Sequence, residues 1–157
     1  MICIRVGVAS LLLLATPALA EHIVGRASVI DGDTIEIHGQ RIRLEGIDAP
    51  ESRQTCTDKK TGAAVRCGQR AAFFLADMIE ARVVSCEPKG RDRYKRVLAQ
   101  CKAAGRDIAA AMVDAGWALA YVAYSREYEL CEAAARKARA GMWAYEFIPP
   151  WDWRRRT

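Results

Sequence analysis

Asp31, Asp33, Arg43, Asp48 and Glu51 fall within twenty-one positions, and Asp92, Arg93, Tyr94 and Arg96 form a second charged group downstream. Carboxylates and guanidiniums set this densely on short apolar segments suit a hard cation and a phosphate better than they suit a folding core. A guanidinium fork binds two phosphate oxygens at once, which a lysine cannot do.

The elements that must hold these groups are short. Residues 22–30 and 34–37 are β-branched runs separated by Asp31, Gly32 and Asp33, and residues 41–47 alternate with period two after a turn at 38–40. This spacing predicts a three-strand meander. Residues 67–80 carry Ala71, Phe74, Leu75, Met78 and Ile79 on one helical face, and two further strands are expected at 82–86 and 97–101. Asp107 is placed to cap a second helix through Ala115, with Gly116 past its end. Ser125 is placed to cap a third helix to Ala140, with Gly141 past its end. The pattern predicts an α+β, mainly β chain with five strands and three helices. It suits a five-stranded OB-type barrel, although strand pattern alone does not fix that topology.

The 157-residue chain carries 24 Lys and Arg against 19 Asp and Glu. Residues 1–20 read as a signal peptide, with one charge at Arg5, an apolar run over 6–15 too short to span a bilayer, and small residues Ala18 and Ala20 at a cleavage site. Its removal leaves residues 21–157 as a single domain without a segment suited to a membrane helix. Only Arg5 is lost from the formal +5, and the remaining +4 modestly favours polyanions.

Export puts Cys56, Cys67, Cys86, Cys101 and Cys131 in an oxidising compartment. No CxxC pair occurs, and neither His22 nor His38 adjoins a cysteine, which argues against zinc. A hairpin centred between Arg93 and Tyr94 sets Cys86 opposite Cys101, within disulfide reach. Cys56 then pairs with Cys67 across the polar loop 57–66. Cys131, on a helical face with Ala134, Ala135 and Ala138, is expected to be a buried free thiol. Residues 144–157 form a C-terminal tail whose basic end reads as a polyanion contact or, more commonly, as a frayed terminus.

D-G-D-T at 31–34, R-L-x-G-I-D-A-P-E at 43–51, D-x-Y-x-R at 92–96, a glycine followed by aromatics over 116–124, and G-M-W at 141–143 occur in this order. On these motifs the chain resembles the staphylococcal nuclease (thermonuclease) family over about residues 23–143. The resemblance implies a five-stranded OB barrel with three helices and a Ca²⁺-dependent phosphodiesterase that cuts DNA and RNA. It implies that Asp33 and Asp48 bind Ca²⁺ through carboxylates and Ala49 through its main-chain carbonyl. Glu51 would face the attacking water, and Arg43 and Arg96 would grip the scissile phosphate. Arg93, Tyr94, Tyr121 and Tyr124 fall near the family's nucleotide contacts.

The chemistry of the residues agrees with that assignment. Ca²⁺ takes about six to eight oxygen ligands, which two carboxylates, a carbonyl, waters and a phosphate oxygen can supply without histidine. A phosphodiester repels its nucleophile, so a cation and two guanidiniums would neutralise charge that builds on the phosphoryl oxygens. Glu51, three positions from Asp48, can reach the same water as general base or as orienting group. Clustered carboxylates repel one another without a cation, which predicts that Asp33→Ala and Asp48→Ala leave the cation-free protein as stable as the parent or more so.

Plainer uses exist for each group. Asp31 reads as an Asx turn around Gly32. Arg43 and Glu51 would serve equally as a surface ion pair, Arg96 as a solvated loop charge, and Tyr121 and Tyr124 as packing groups instead of base-stacking platforms. Trp117 and Trp143 read as core. Three positions depart from the family pattern: Lys95 stands where glycine is usual, which puts the path of the Arg96 loop in doubt; Ala49 replaces a threonine, without consequence for a carbonyl ligand; and the loop 52–66 adds two cysteines with Lys59 and Lys60.

The expectation is a secreted or periplasmic, monomeric, Ca²⁺-dependent endonuclease of low sequence specificity. Single strands should be preferred, since a barrel groove with aromatic rings accepts unstacked bases. The rival is a non-catalytic OB module binding oligonucleotide or another extracellular polyanion, which has no need of Glu51.

Overall fold

The computed structural model describes residues 21–156. The expected signal peptide at 1–20 lies outside the described residues. Alternating apolar and polar side chains build β1 (Ile23–Gly25), β2 (Ser28–Asp31), β3 (Thr34–Ile37) and β4 (Gln40–Leu44), with Ile35, Ile37, Ile42 and Leu44 turned into the core. After β5 (Ile47–Asp48) come β6 (Cys56–Thr57), β7 (Ala64–Val65) and α1 (Cys67–Ile79), which buries Ala71, Leu75 and Ile79. Next are β8 (Val84–Arg91), β9 (Val97–Ala103), β10 (Arg106–Asp107), α2 (Ile108–Asp114), β11 (Leu119–Ala120) and α3 (Glu129–Ala138). A 3₁₀ turn (Gly141–Ala144) and a single-turn helix, α4 (Pro150–Trp153), end the chain.

The main sheet runs β1-β8-β9-β4-β3-β2, with β10 beside β9. Its first and last members, β1 and β2, are consecutive pieces of chain separated only by Arg26 and Ala27. Every ladder in it is antiparallel except β4 with β9, where Ile42, Arg43 and Leu44 face Val97, Leu98 and Ala99. That parallel pair matters for the site. It lays the start of β9, and the hairpin loop leading into it, beside the strand that carries Arg43.

The β8–β9 hairpin sets Cys86 opposite Cys101, and the two form a disulfide; a second joins Cys56 to Cys67. A bulge between Pro88 and Gly90 displaces the expected centre of this hairpin, so the loop is residues 92–96. Cys131 is a free thiol, but it is half-buried, with Ala134 and Ala138 exposed and only Ala135 of that face in the core. Burial and nearby Asp114 raise its pKa.

Two helix boundaries show what local pattern can and cannot predict. Asp107 caps α2 as expected, its carboxylate accepting the Ala110 N–H at 3.0 Å. Ser125 does not cap α3; its hydroxyl accepts the Glu127 N–H, and the helix begins at Glu129 after the buried Tyr128. The Tyr128 hydroxyl reaches Asp107 at 3.1 Å, so a tertiary contact sets that helix start. The fourth helix, α4, and the two-residue strands β6, β7, β10 and β11 are further additions to the expected elements. Among the described residues, no helix is long and apolar enough to cross a membrane.

Candidate active site

The turn between β2 and β3 begins the site. Asp31 accepts the Asp33 N–H at 3.1 Å, the Asx turn expected of it, and Gly32 lets this turn press against Ala49 and Ala71, where a Cβ would stand 2.7 Å from the Ala49 side chain. Burial, and then the charge of Asp33, push the Asp31 carboxyl up to about 7. Asp33 is buried and fully engaged: one oxygen takes the Thr34 hydroxyl at 3.0 Å and the other takes the Ala49 N–H at 3.0 Å. These bonds tie the first motif to the second.

Register then delivers Arg43 and Asp48. Arg43 faces Thr34 across the β3–β4 ladder, and its two terminal nitrogens reach Asp33 at 2.5 Å and Asp48 at 2.8 Å. Asp48 lies on β5, where Leu119 of β11 pairs with it and removes it completely from solvent. Burial disfavours the Arg43 charge, but Asp33 and Asp48 outweigh that cost and raise its pKa further above the ordinary arginine value.

Glu51 sits at the mouth of this pocket on a loop held by two devices. The fully buried Gln54 accepts the Glu51 N–H at 3.2 Å, and the first turn of α1 packs against the Glu51 carbonyl. Gly68 is required there, because a Cβ would fall 1.8 Å from that carbonyl oxygen.

Arg96 enters from the β8–β9 loop. Asp92 organises the loop by accepting the N–H groups of Tyr94 and Arg96, and its second oxygen holds the Arg96 side chain at 2.7 Å. Burial works against the Asp92 charge, yet these bonds from Arg96 lower its pKa. Lys95 adopts a left-handed conformation, φ 65°, of the kind glycine favours, so the loop keeps a glycine-like path. Arg96 also reaches the Thr34 hydroxyl at 3.4 Å and lies 5.4 Å from the centre of the Tyr94 ring, which is 71% exposed. Arg93 is exposed beside it. Tyr121 and Tyr124 stand 5.1 Å apart on the far side of the cleft, Tyr124 exposed and Tyr121 half-buried against Trp151. Trp117 and Trp143, expected in the core, are half-buried against the smaller of the two core clusters, where Trp143 packs edge-on to Phe147.

The structure corrects two expectations here. The basic tail is docked and not frayed: Thr57 and Glu146 exchange main-chain hydrogen bonds, Gln54 donates to the Ile148 carbonyl at 2.7 Å, and Arg154 reaches the site while Arg155 and Arg156 stay exposed. Its guanidinium reaches both Asp48 oxygens, at 2.8 and 3.1 Å, and Glu51 at 2.7 Å. Burial disfavours the Arg154 charge, but the bonds to Asp48 and Glu51 raise its pKa. The carboxylates therefore do not face one another unpaired. Deleting Asp33 or Asp48 strips a partner from a guanidinium, so these contacts predict a loss of stability where clustered, unpaired carboxylates predict neutrality or a gain. Gln54 escaped sequence reasoning, and Arg154 reads there only as part of a basic end that contacts a polyanion or frays. The signal for docking was the apolar composition of the tail, whose Phe147 and Trp151 join Met142 and the Cys56–Cys67 bridge in the smaller cluster.

These groups line one open cleft of about 750 Å³ that contains Asp33, Arg43, Ala49, Glu51, Arg96 and Arg154. Among the described residues, no group of three or more His, Cys, Asp or Glu is placed to hold an ion. Asp33 and Asp48 meet on a single guanidinium, that of Arg43.

Similarity to known proteins agrees with this arrangement. The chain is 41% identical over 138 residues to a succinoglycan biosynthesis protein, ExoI, of Rhizobium meliloti, covering 86% of this chain and 72% of that protein. It is 34% identical to an uncharacterized endonuclease of Escherichia coli, covering 93% of this chain and 94% of the relative. Identity is also 34% to a micrococcal nuclease of Shigella flexneri, over 96% and 90% of the two chains. The family described as staphylococcal nuclease homologue matches residues 41–145, which spans β4 with Arg43, the Glu51 loop and the Arg96 hairpin. On that match and these relatives, the chain belongs to the staphylococcal nuclease family.

Proposed function

We propose that this nuclease hydrolyses phosphodiester bonds of DNA and RNA with little sequence specificity, in the cleft between the Asp33–Asp48 pair and the Arg96 hairpin, with Ca²⁺ as its cofactor. The observation that carries the reading is Arg43 held between two buried carboxylates, with Arg96 and Glu51 opening on the same cleft. The donor set fits a hard cation, since it is all oxygen and both carboxylates meet on one guanidinium. Asp33 and Asp48 would hold the ion, with the Ala49 carbonyl as a further donor. When bound, it would supply positive charge to the phosphoryl oxygens and a more acidic water.

The chain's own groups divide the remaining work. Arg43 and Arg96 bind the phosphate and offset the charge that develops on it. Glu51, half-exposed at the mouth, orients the attacking water or takes its proton. Arg93, Tyr94, Tyr121 and Tyr124 receive the sugar-phosphate chain and stack unpaired bases, which favours single strands. Ring stacking and phosphate contacts read no base edges, hence the low specificity.

The adjoining β1 and β2 at the two ends of the sheet path support a closed five-stranded OB barrel as the scaffold. Two disulfides support function outside the reducing cytoplasm; we place the chain, freed of residues 1–20, in the periplasm or outside the cell as a monomer. The test is incubation of the mature protein with single-stranded DNA and RNA in Ca²⁺ or chelator. Ca²⁺-dependent cleavage of both is expected. Retention of the polymer without degradation would instead establish a binding module.

A further inference from the structure

We infer that Arg154 is a substrate-binding residue, a third guanidinium that the C-terminal segment delivers to the phosphate of the bound nucleic acid. The inference rests on the proposed cleavage of nucleic acid in this cleft and assigns a residue that lies outside the stretch matched to the family.

Anchoring of the segment does not depend on Arg154. Residues 145–151 are already fixed by the Thr57–Glu146 main-chain bonds, by the bond from buried Gln54 to Ile148, and by Phe147 and Trp151 in the smaller core cluster. Pro150 opens α4 with its φ preset, and one turn later the helix end aims the Arg154 side chain at the carboxylates. A backbone held this firmly before the last turn makes the ion pair unnecessary as a tether.

The guanidinium also lines the open cleft in which the phosphate would bind. Its side chain is 39% exposed, against 24% for Arg96 and 16% for Arg43, so of the three it is the most open to the cleft water. Arg154 and Arg43 share one oxygen of Asp48 as acceptor, at 3.1 and 2.8 Å, which puts both forks around one point. From Arg96 the contacts run through Thr34, Asp33, Arg43 and Asp48 to Arg154 and Glu51, charges alternating along the line.

Charge balance favours a role toward substrate. The ion-paired groups Asp33, Asp48, Glu51 and Asp92 against Arg43, Arg96 and Arg154 leave a formal charge of −1. One divalent cation would turn this to +1, which matches the single charge of a phosphodiester. Without Arg154 this ion-paired set would be neutral with the cation in place, and a bound phosphate would leave it negative. Arg154 also occupies an oxygen of Glu51, so turning it toward a phosphate frees that carboxylate for water.

The test measures steady-state cleavage of a single-stranded oligonucleotide in Ca²⁺ over a range of salt, for the parent, Arg154→Gln and Arg154→Lys. Expected for Arg154→Gln is a KM raised about tenfold, the loss of one charge-assisted contact, with a smaller change in kcat. The slope of log kcat/KM against log salt should flatten by about 0.7, one phosphate contact on a single strand. Arg154→Lys should restore the slope and only part of the KM, since it keeps the charge and loses the fork. Thermal melts in chelator report whether the segment stays docked, and a purely structural role would lower the melting temperature while leaving the salt slope at the parent value. An unchanged slope and KM in Arg154→Gln, with the parent active, would overturn the inference. A parent that cleaves neither DNA nor RNA would overturn the nuclease reading, and this inference with it.

Discussion

The segment 31–51 and the C-terminal segment 141–156 supply charged groups to the same cleft by opposite means. In the first, Asp33, Arg43, Asp48 and Glu51, no two of them more than eighteen positions apart, are brought together by a turn, the β3–β4 ladder and the Asp33 bond to the Ala49 N–H. In the second, Arg154 meets Asp48 and Glu51 across separations of 106 and 103 residues. The first arrangement is buried, its Arg43 fork enclosed between two carboxylates; the second is half-open and depends on side chains far from any motif. Local register therefore fixes the groups of highest electrostatic cost, and the added arm contributes a group that can move.

The largest effect should come from breaking the enclosed half. Arg43→Ala leaves Asp33 buried with only a hydroxyl and an N–H, and losing one partner of a buried pair costs about 3 to 5 kcal/mol. Arg154→Ala removes a guanidinium that is itself partly exposed but pairs with the fully buried Asp48, so it should cost less than Arg43→Ala, about 1 to 3 kcal/mol. Urea denaturation in chelator separates them. Equal losses for the two variants would erase the distinction between the halves. In cleavage assays Arg43→Ala and Glu51→Gln should each cut turnover by roughly 10² or more.

This contrast also explains what the sequence disclosed. Strand alternation, the Asp31 turn and the Asp107 cap depend on neighbours within a few residues, and each was legible. The opposition of Cys86 and Cys101 was legible because hairpin arithmetic survives the bulge, which lies on the turn side of that pair. Family resemblance, and not periodicity, supplied the roles of Arg43, Glu51 and Arg96. Hidden from both were β11, whose pairing with β5 buries Asp48; Gln54, whose amide joins two distant segments; and Arg154, which looked like one charge of a basic terminus. None of these has a periodic or capping signature, because each exists only through a contact made after the chain has folded back. The α3 start failed for the same reason, with Tyr128 held by Asp107 overriding the Ser125 cap.

The disulfides sharpen the comparison from the covalent side. Cys56–Cys67 and Cys86–Cys101 close loops of 11 and 15 residues, so replacing either pair by serine should cost about 3 kcal/mol in the chain-entropy account. Their local consequences should differ. The first bridge sits in the cluster on which Phe147 and Trp151 pack, and its loss should raise amide hydrogen exchange in residues 145–156. Loss of the second should leave exchange in that arm unchanged. Arm protection that survives Cys56→Ser/Cys67→Ser would mean that the arm docks independently of the bridge.

A smaller effect isolates one hydrogen-bonding side chain. Gln54→Leu fills the same buried volume but strands the Ile148 carbonyl and the Glu51 N–H, at a cost of about 1 to 3 kcal/mol. Both the arm and the Glu51 loop lose an anchor at once. Cleavage should fall with the parent's Ca²⁺ dependence retained, because Asp33 and Asp48 are untouched; a large loss of Ca²⁺ affinity would show that the two halves are more tightly joined than their contacts indicate.

The smallest expected effect lies in the Arg96 hairpin. Lys95 holds φ at 65°, a region that costs an L-residue about 1 to 2 kcal/mol, while its exposed position provides no core packing in return. Its N–H and carbonyl are both used, by Asp92 and by the Arg91 side chain, and glycine retains both. Glycine removes the strain but adds freedom to the unfolded chain, worth about 0.5 to 1 kcal/mol in the opposite direction. The balance predicts that Lys95→Gly stabilises by at most about 1 kcal/mol, a few degrees in Tm for a domain of this size. Arg96 stays fixed by the Asp92 carboxylate, so turnover should remain within about threefold of the parent at moderate salt, the range left by losing one nearby surface charge. A fall in stability would show that the lysine side chain itself holds the loop, and that this hairpin, like the arm, depends on contacts that its local conformation does not reveal.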